Sequence, residues 1–389
     1  MSGLGNGLYF KSVPFSENFR NPELLESRVL QRFAGLLRPK PAAQLEQMAG
    51  DAERLTRQFF GRTMRLFAPL YLSNECVNIC RYCGFSRDNA ILRTTLTGDQ
   101  VETEARHLAT LGFRNVLLVA GEHPKFVAPG YLAECVSRLR PFIPALSLEV
   151  GPMETSDYVP IVQAGAEGLV VYQETYDRET YTELHTAGPK KDFDWRLDCP
   201  ERAYAAGFRR LGVGALFGLA PWEDEALRLA AHIDYLLRHC WKSSLTVSLP
   251  RLRPAAGEFQ PRHEFSDRAF VQVILALRLC FPQVGVVLST RESPALRDRL
   301  MRLGVTMMSA GSHTEPGGYT GAGAESLHQT RRGKAVPVIA SEGEHLGATE
   351  QFAIADERSP AEVSAKLREL GIEPVWKDWD AALAPVAAD

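Results

Sequence analysis

The stretch 66-LFAPLYLSNECVNICRYCGF-85 decides how the rest of the chain is read. Its first seven residues are almost wholly apolar, the mark of a short strand buried on both faces. Directly after it, three cysteines fall at 76, 80 and 83 in a C-x3-C-x2-C spacing. The other four, Cys135, Cys199, Cys240 and Cys280, stand singly in apolar or helical surroundings and read as small buried hydrophobes. Structural zinc takes four ligands, usually from two separated pairs, and no second CxxC or Cys/His pair exists to complete such a site. Buried structural thiols have no reason to cluster so closely. Three thiolates in one loop suit a four-iron, four-sulfur cluster with one iron left without a protein ligand. A small molecule can chelate that open iron and receive an electron from the cluster.

Outward from this stretch, similar short runs recur at 115–120, 145–150, 168–172, 210–216, 245–249, 284–289 and 305–309, making eight with 66–72. Helix-period segments such as 100–111, 223–239 and 267–279 lie between them, and glycine turns at Gly112, Gly207 and Gly304 return the chain to the sheet. Eight strands alternating with helices imply right-handed crossovers and a parallel sheet. Residues 61–310 number about 250, the usual length of a (β/α)8 barrel. The expectation is therefore an α/β fold built on a TIM-type (β/α)8 barrel, with an open doubly wound sheet as the alternative. In a barrel, the cysteine loop falls at the C-terminal mouth, where such enzymes carry their chemistry. Residues 1–60 read as an N-terminal helical extension with helices at 22–37 and 42–62. Residues 311–389 read as a C-terminal appendage: loop or mobile chain to 350, a helix at 360–370, and a closing EPVWKDWD whose tryptophans, Trp376 and Trp379, pack against the domain.

The 389 residues are 45% hydrophobic and 23% charged, which is enough apolar material for a full core. A formal net charge of −3 and the lack of a long basic run argue against a nucleic-acid partner. No apolar run is long enough to span a bilayer, and MSGLGNGLYFKSVPF lacks the layout of a secretory signal. Seven cysteines are an odd number in a large chain, which fits a reducing cytoplasm better than a disulfide framework.

With Tyr82 before the last cysteine and Gly84-Phe85 after it, the loop resembles that of the radical S-adenosylmethionine superfamily. The stretches LLVAGEH, VVYQETY, DFDWRL, GVGALFGL, SLPRLRP, LSTRESP, PGGY and EPVWKDWD follow in order, and together with the loop they resemble the 2-iminoacetate synthase family. The resemblance implies a [4Fe-4S] cluster on Cys76, Cys80 and Cys83, with S-adenosyl-L-methionine chelating the open iron. It implies a lyase that cleaves L-tyrosine to 2-iminoacetate and 4-cresol for thiamine thiazole biosynthesis. It also implies a flavodoxin- or ferredoxin-type electron donor and a thiazole synthase partner. The tyrosine lyase of hydrogenase maturation shares the pattern but carries a second cysteine-bound cluster in a C-terminal domain, and this chain has no cysteine after Cys280. A related lyase acting on tryptophan is the alternative. From another class, the alternative is a non-catalytic metal-binding module.

Site residues follow from the same stretches. Glu122 closes the second strand, where it either caps the next helix or, as the resemblance implies, accepts hydrogen bonds from the methionine ammonium. Gln173 and Glu174, after the fourth strand, suit ribose hydroxyls or a solvated turn. Lys191 and Arg196 are cations for the methionine carboxylate, unless they lie on the surface. Gly214 lies in a glycine run without the dinucleotide fingerprint's spacing. The resemblance places that run against adenine, with Tyr82 also on the cofactor. Arg291, ending the seventh strand, is placed to grip the substrate carboxylate unless it pairs with Glu292, and Ser309 adds a hydrogen bond from the eighth.

Overall fold

The fold comes from a computed structural model, which describes residues 15–18, 27–331, 334–338 and 347–377. All eight expected strands form: β1 (Thr63–Ser73), β2 (Asn115–Ala120), β3 (Ala145–Glu149), β4 (Gly168–Glu174), β5 (Arg210–Ala215), β6 (Ser244–Ser248), β7 (Gly285–Leu288) and β8 (Met307–Ser309). Each pairs in parallel with the next, and β8 pairs back onto β1 through Arg65↔Met307 and Phe67↔Ser309. The sheet is closed, which excludes the open doubly wound alternative. Residues 66–73 of β1 are buried throughout, because one face meets the helices and the other fills the barrel.

Side-chain size alternates across the barrel interior. Val170 and Tyr172 of β4 lie opposite Gly212 and Gly214 of β5. A Cβ on Gly212 would stand 2.8 Å from Val170 Cγ2, and one on Gly214 would stand 2.8 Å from Tyr172 Cδ1. The glycine run therefore makes room for the tyrosine that floors the mouth.

The N-terminal helices Arg28–Leu37 and Ala42–Phe60 cover the side of the barrel. Gln272, on the helix Asp267–Cys280, donates to the carbonyls of Leu36 and Arg38 at 2.7 and 2.8 Å. Residues 22–26 of the first expected helix lie outside the described residues. Residues 311–331 are more than the expected loop. Tyr319 donates to the carbonyl of Pro69 at 2.6 Å, and the backbone N–H of Thr320 donates to Glu104 at 2.7 Å. The strands His328–Arg331 and Lys334–Pro337 form an antiparallel hairpin joined to the cysteine loop at Arg93. The short strand Glu373–Val375 runs parallel to the start of β1, and the Trp376 ring meets Phe113 at 5.1 Å, as packing required. Trp379 lies outside the described residues.

Candidate active site

The cysteine loop is held by its own backbone. Arg93, 1% exposed, donates to the carbonyls of Asn74, Phe85 and Ser86 at 2.6, 3.2 and 2.7 Å. The loop pairs antiparallel with residues 185–187, Cys80 opposite His185. A Cβ on Gly121 would collide with the Glu75 carbonyl, so only glycine at the end of β2 lets the loop come this close. His328, on the hairpin, hydrogen-bonds Glu75 at 2.5 Å and ties that hairpin to the loop.

All three thiols are free, Cys80 buried and the other two half-buried. Burial pushes the Cys76 and Cys80 thiols up, the charges of neighbouring thiols add to the rise, and the Lys190 ammonium opposes it. The Asn78 and Gln351 amides point at Cys76 Sγ and Cys83 Sγ, 3.7 and 3.8 Å away. Among the described residues no three His, Cys, Asp or Glu side chains stand close enough to hold a single metal ion. Three mutually interacting thiols, with amide donors to sulfur and a neighbouring cation, fit the thiolate set of an iron–sulfur cluster.

Beside the loop the mouth opens into a cavity of about 510 Å³, bordered by Tyr82, Cys83, Glu174, Lys190 and Arg291. A second cavity of about 690 Å³ adjoins it, sharing Glu149, Tyr172, Pro250, Arg291 and Phe352 and reaching Ser309. Glu122 accepts from Asn78 Nδ2 at 2.7 Å, and Tyr82 hydrogen-bonds His185 at 2.7 Å. Arg196 donates to the Tyr172 carbonyl at 2.7 Å and reaches Glu174 at 3.5 Å. Glu174 has a φ of 71°, a left-handed backbone that costs a non-glycine residue energy and marks a constrained site. Burial raises its carboxyl, but the charges of Lys190 and Arg196 outweigh that and hold it below the usual carboxylate range. The Arg291 guanidinium lies 3.3 Å from the centre of the Phe352 ring, half-buried at the mouth, and burial lowers its pKa. Its rival partner is taken, because Glu292 pairs with Arg251, at 3.0 Å to Nε. Ser309 Oγ accepts from the Thr290 N–H at 3.2 Å.

Of the expected residues, Glu122, Arg196 and Gly214 do not border either cavity, and Lys191 and Gln173 turn away from this space. Lys191 is exposed, and its neighbour Lys190 turns inward to Glu174 at 2.6 Å. The shift of one residue comes from the turn at 188–191, whose Lys190 N–H donates to Asn78 Oδ1 at 2.9 Å. Gln173 faces the surrounding helices, donating to the Phe193 carbonyl at 3.3 Å, while Oε1 is buried with no hydrogen-bond partner. Strand residues alternate faces, so Glu174 and Gln173 cannot both face inward. Asn78, Lys190, Glu149, Tyr71 and Gln351 were missed. Of these, Glu149 carried a signal, being the one acid in the apolar run 145–150.

The chain matches two family descriptions, Radical SAM superfamily over residues 70–232 and Biotin and Thiamin Synthesis associated domain over residues 248–373. It is 41% identical to 2-iminoacetate synthase of Escherichia coli over 90% of this chain and 86% of that one. The figures for the Salmonella typhimurium enzyme of the same name are 40%, 90% and 86%. Among solved structures, the FeFe-hydrogenase maturase HydG of Carboxydothermus hydrogenoformans superposes with a TM-score of 0.78 at 32% identity, covering 94% of this chain and 82% of that one. With the three-cysteine loop at the mouth of a closed barrel, these likenesses make the chain a member of the 2-iminoacetate synthase family of radical S-adenosylmethionine enzymes.

Proposed function

We infer that the mouth brings the cluster, S-adenosylmethionine and L-tyrosine together, and that the enzyme cleaves the Cα–Cβ bond of tyrosine to 2-iminoacetate and 4-cresol. The carrying observation is that Cys83 and Arg291 border one cavity, so a cluster ligand and a carboxylate grip face the same space. When bound, the cluster and S-adenosylmethionine supply radical chemistry that removes a hydrogen atom from the substrate's amino group.

The chain's own residues bind and orient. Cys76, Cys80 and Cys83 would hold the cluster. Glu122, Tyr82, Arg196 and the Glu174–Lys190 pair form the cofactor side, and Gly214 keeps the floor open by accommodating Tyr172. Arg291 takes the substrate carboxylate, Ser309 lines the adjoining wall, and Tyr71, Tyr172 and Phe352 offer ring surface to the phenol. Burial of the mouth excludes water and strengthens each charged contact. A flavodoxin- or ferredoxin-type donor and a thiazole synthase partner are part of this proposal on resemblance alone. A cytoplasmic setting is also proposed: the described cysteines are all free, and no helix among the described residues is long and apolar enough to cross a membrane.

The test is anaerobic reconstitution followed by reduction with S-adenosylmethionine and tyrosine. About four irons per chain, 5′-deoxyadenosine and matching 4-cresol are expected. Release of 5′-deoxyadenosine without 4-cresol from tyrosine, but with products from tryptophan, would move the substrate to tryptophan. Failure to bind iron or to consume S-adenosylmethionine would remove the enzyme reading.

A further inference from the structure

The acids around the mouth are engaged, with one exception. Glu122 takes the Asn78 amide, Glu174 takes Lys190 and Arg196, Glu292 takes Arg251, and Glu75 takes His328. Glu149, the last residue of β3, borders both cavities together with Arg291 and Tyr172. No hydrogen bond or ion pair reaches its carboxylate from the described residues. The charged and titratable groups facing it are Glu174, Arg291, Arg196 and Lys190, with the hydroxyls of Tyr71 and Tyr172.

A free amino acid enters as a zwitterion at neutral pH. A buried site must then supply a cation for the carboxylate and an anion for the ammonium, because either charge left alone is costly to desolvate. Arg291 supplies the first. We propose that Glu149 supplies the second: it holds the substrate's α-ammonium group and takes one of its protons, delivering a neutral amine to the reaction. This rests on the amino-acid reading of the Arg291 site given above. The step moves one proton and no electrons: the ammonium becomes an amine, and the carboxylate becomes a carboxylic acid. The neutral amine keeps the nitrogen lone pair that stabilises a nitrogen-centred radical, whereas an ammonium has none to offer. Burial first, and then the Glu174 charge, push the Glu149 carboxyl up to about 7, with the nearby cations opposing. That value lies far nearer to an ammonium's than an ordinary glutamate's about 4.3 does, so the transfer is less uphill than it would be to an ordinary carboxylate.

The experiment measures binding, not turnover. Reconstituted enzyme holding S-adenosylmethionine, without reductant, is dialysed against tyrosine or 3-(4-hydroxyphenyl)propanoate, which lacks only the amino group. The wild type should prefer tyrosine, and that preference should fall as pH drops through about 7, where Glu149 takes up its proton. In Glu149→Gln, tyrosine affinity should fall roughly thirtyfold or more while the propanoate binds as before, so the preference and its pH dependence vanish. Glu149→Asp should recover part of the preference. An unchanged preference in Glu149→Gln overturns the proposal. So does equal loss of both ligands at normal iron content, which would make Glu149 a packing residue. A wild type that binds tryptophan and not tyrosine fails the substrate reading alone, and the same comparison with tryptophan and indole-3-propanoate then decides Glu149.

Discussion

Replacing Lys190 and Lys191 separately with Met should give two very different proteins, although the residues are adjacent and chemically identical. Lys190 Nζ lies 2.6 Å from Glu174 Oε1, with side-chain exposures of 13% and 11%, and its charge also acts on Cys80 and Cys83. Removing one partner of a buried ion pair costs about 3–5 kcal/mol, mostly from the stranded charge. Arg196 remains 3.5 Å from Glu174, so the expected loss lies near the lower end, about 3 kcal/mol. Lys191 is exposed, and its loss should stay within about 0.5 kcal/mol. Anaerobic urea unfolding followed by circular dichroism measures both. The pH dependence supplies a sign. The folded Glu174 carboxyl sits below its ordinary value, so the pair's contribution is present above the unfolded pKa and lost as pH falls through the folded one. The stability gap between wild type and Lys190→Met should therefore close in acid. Adding Glu174→Gln to Lys190→Met should recover part of the loss, since no charge is then stranded. Equal unfolding midpoints for the two lysine variants, or a gap that widens in acid, would refute the reasoning.

Changing Cys76, Cys80 or Cys83 to Ala should abolish the iron–sulfur absorbance or leave a damaged cluster without turnover, while Cys135→Ala, Cys199→Ala, Cys240→Ala and Cys280→Ala keep normal iron content. Full activity from any of the first three would undo the cluster assignment. Arg291→Lys keeps the charge but not two parallel hydrogen bonds at fixed spacing, so tyrosine affinity should fall at least roughly thirtyfold, with 5′-deoxyadenosine formed in excess of 4-cresol. Tight coupling in that variant would take Arg291 out of the substrate site. Asp356→Ala strands the Arg297 guanidinium, since both side chains are fully buried, and should destabilise the fold by about 3–5 kcal/mol. A loss below about 1 kcal/mol in urea unfolding would mean that water reaches the pair.

The barrel and the cysteine loop were legible because their signals are local. Each strand had to be an apolar run, since it is buried on both faces, and the eight runs start and end within two residues of the strands they became, apart from β1, which starts three residues before its run. The C-x3-C-x2-C spacing names its chemistry without help from the rest of the chain. That Arg291 and Ser309 border the mouth was legible from their place at the ends of the last two runs, although β7 stops at Leu288, three residues before Arg291. Part of what was missed was readable: Val170 and Tyr172 share one strand face and Gln173 takes the other, by the period of two, whereas Glu174 follows a register shift with a left-handed backbone. The Lys190–Lys191 choice was not readable. It hangs on a hydrogen bond from the Lys190 N–H to Asn78, 112 residues earlier, which sets the turn's register and thereby which ammonium is desolvated. Glu149 is the same kind of case. In sequence it is an acid at the end of a strand, and only the closed barrel sets it on the same cavity as Arg291 with no partner among the described residues, because the ends of separate strands meet at one mouth.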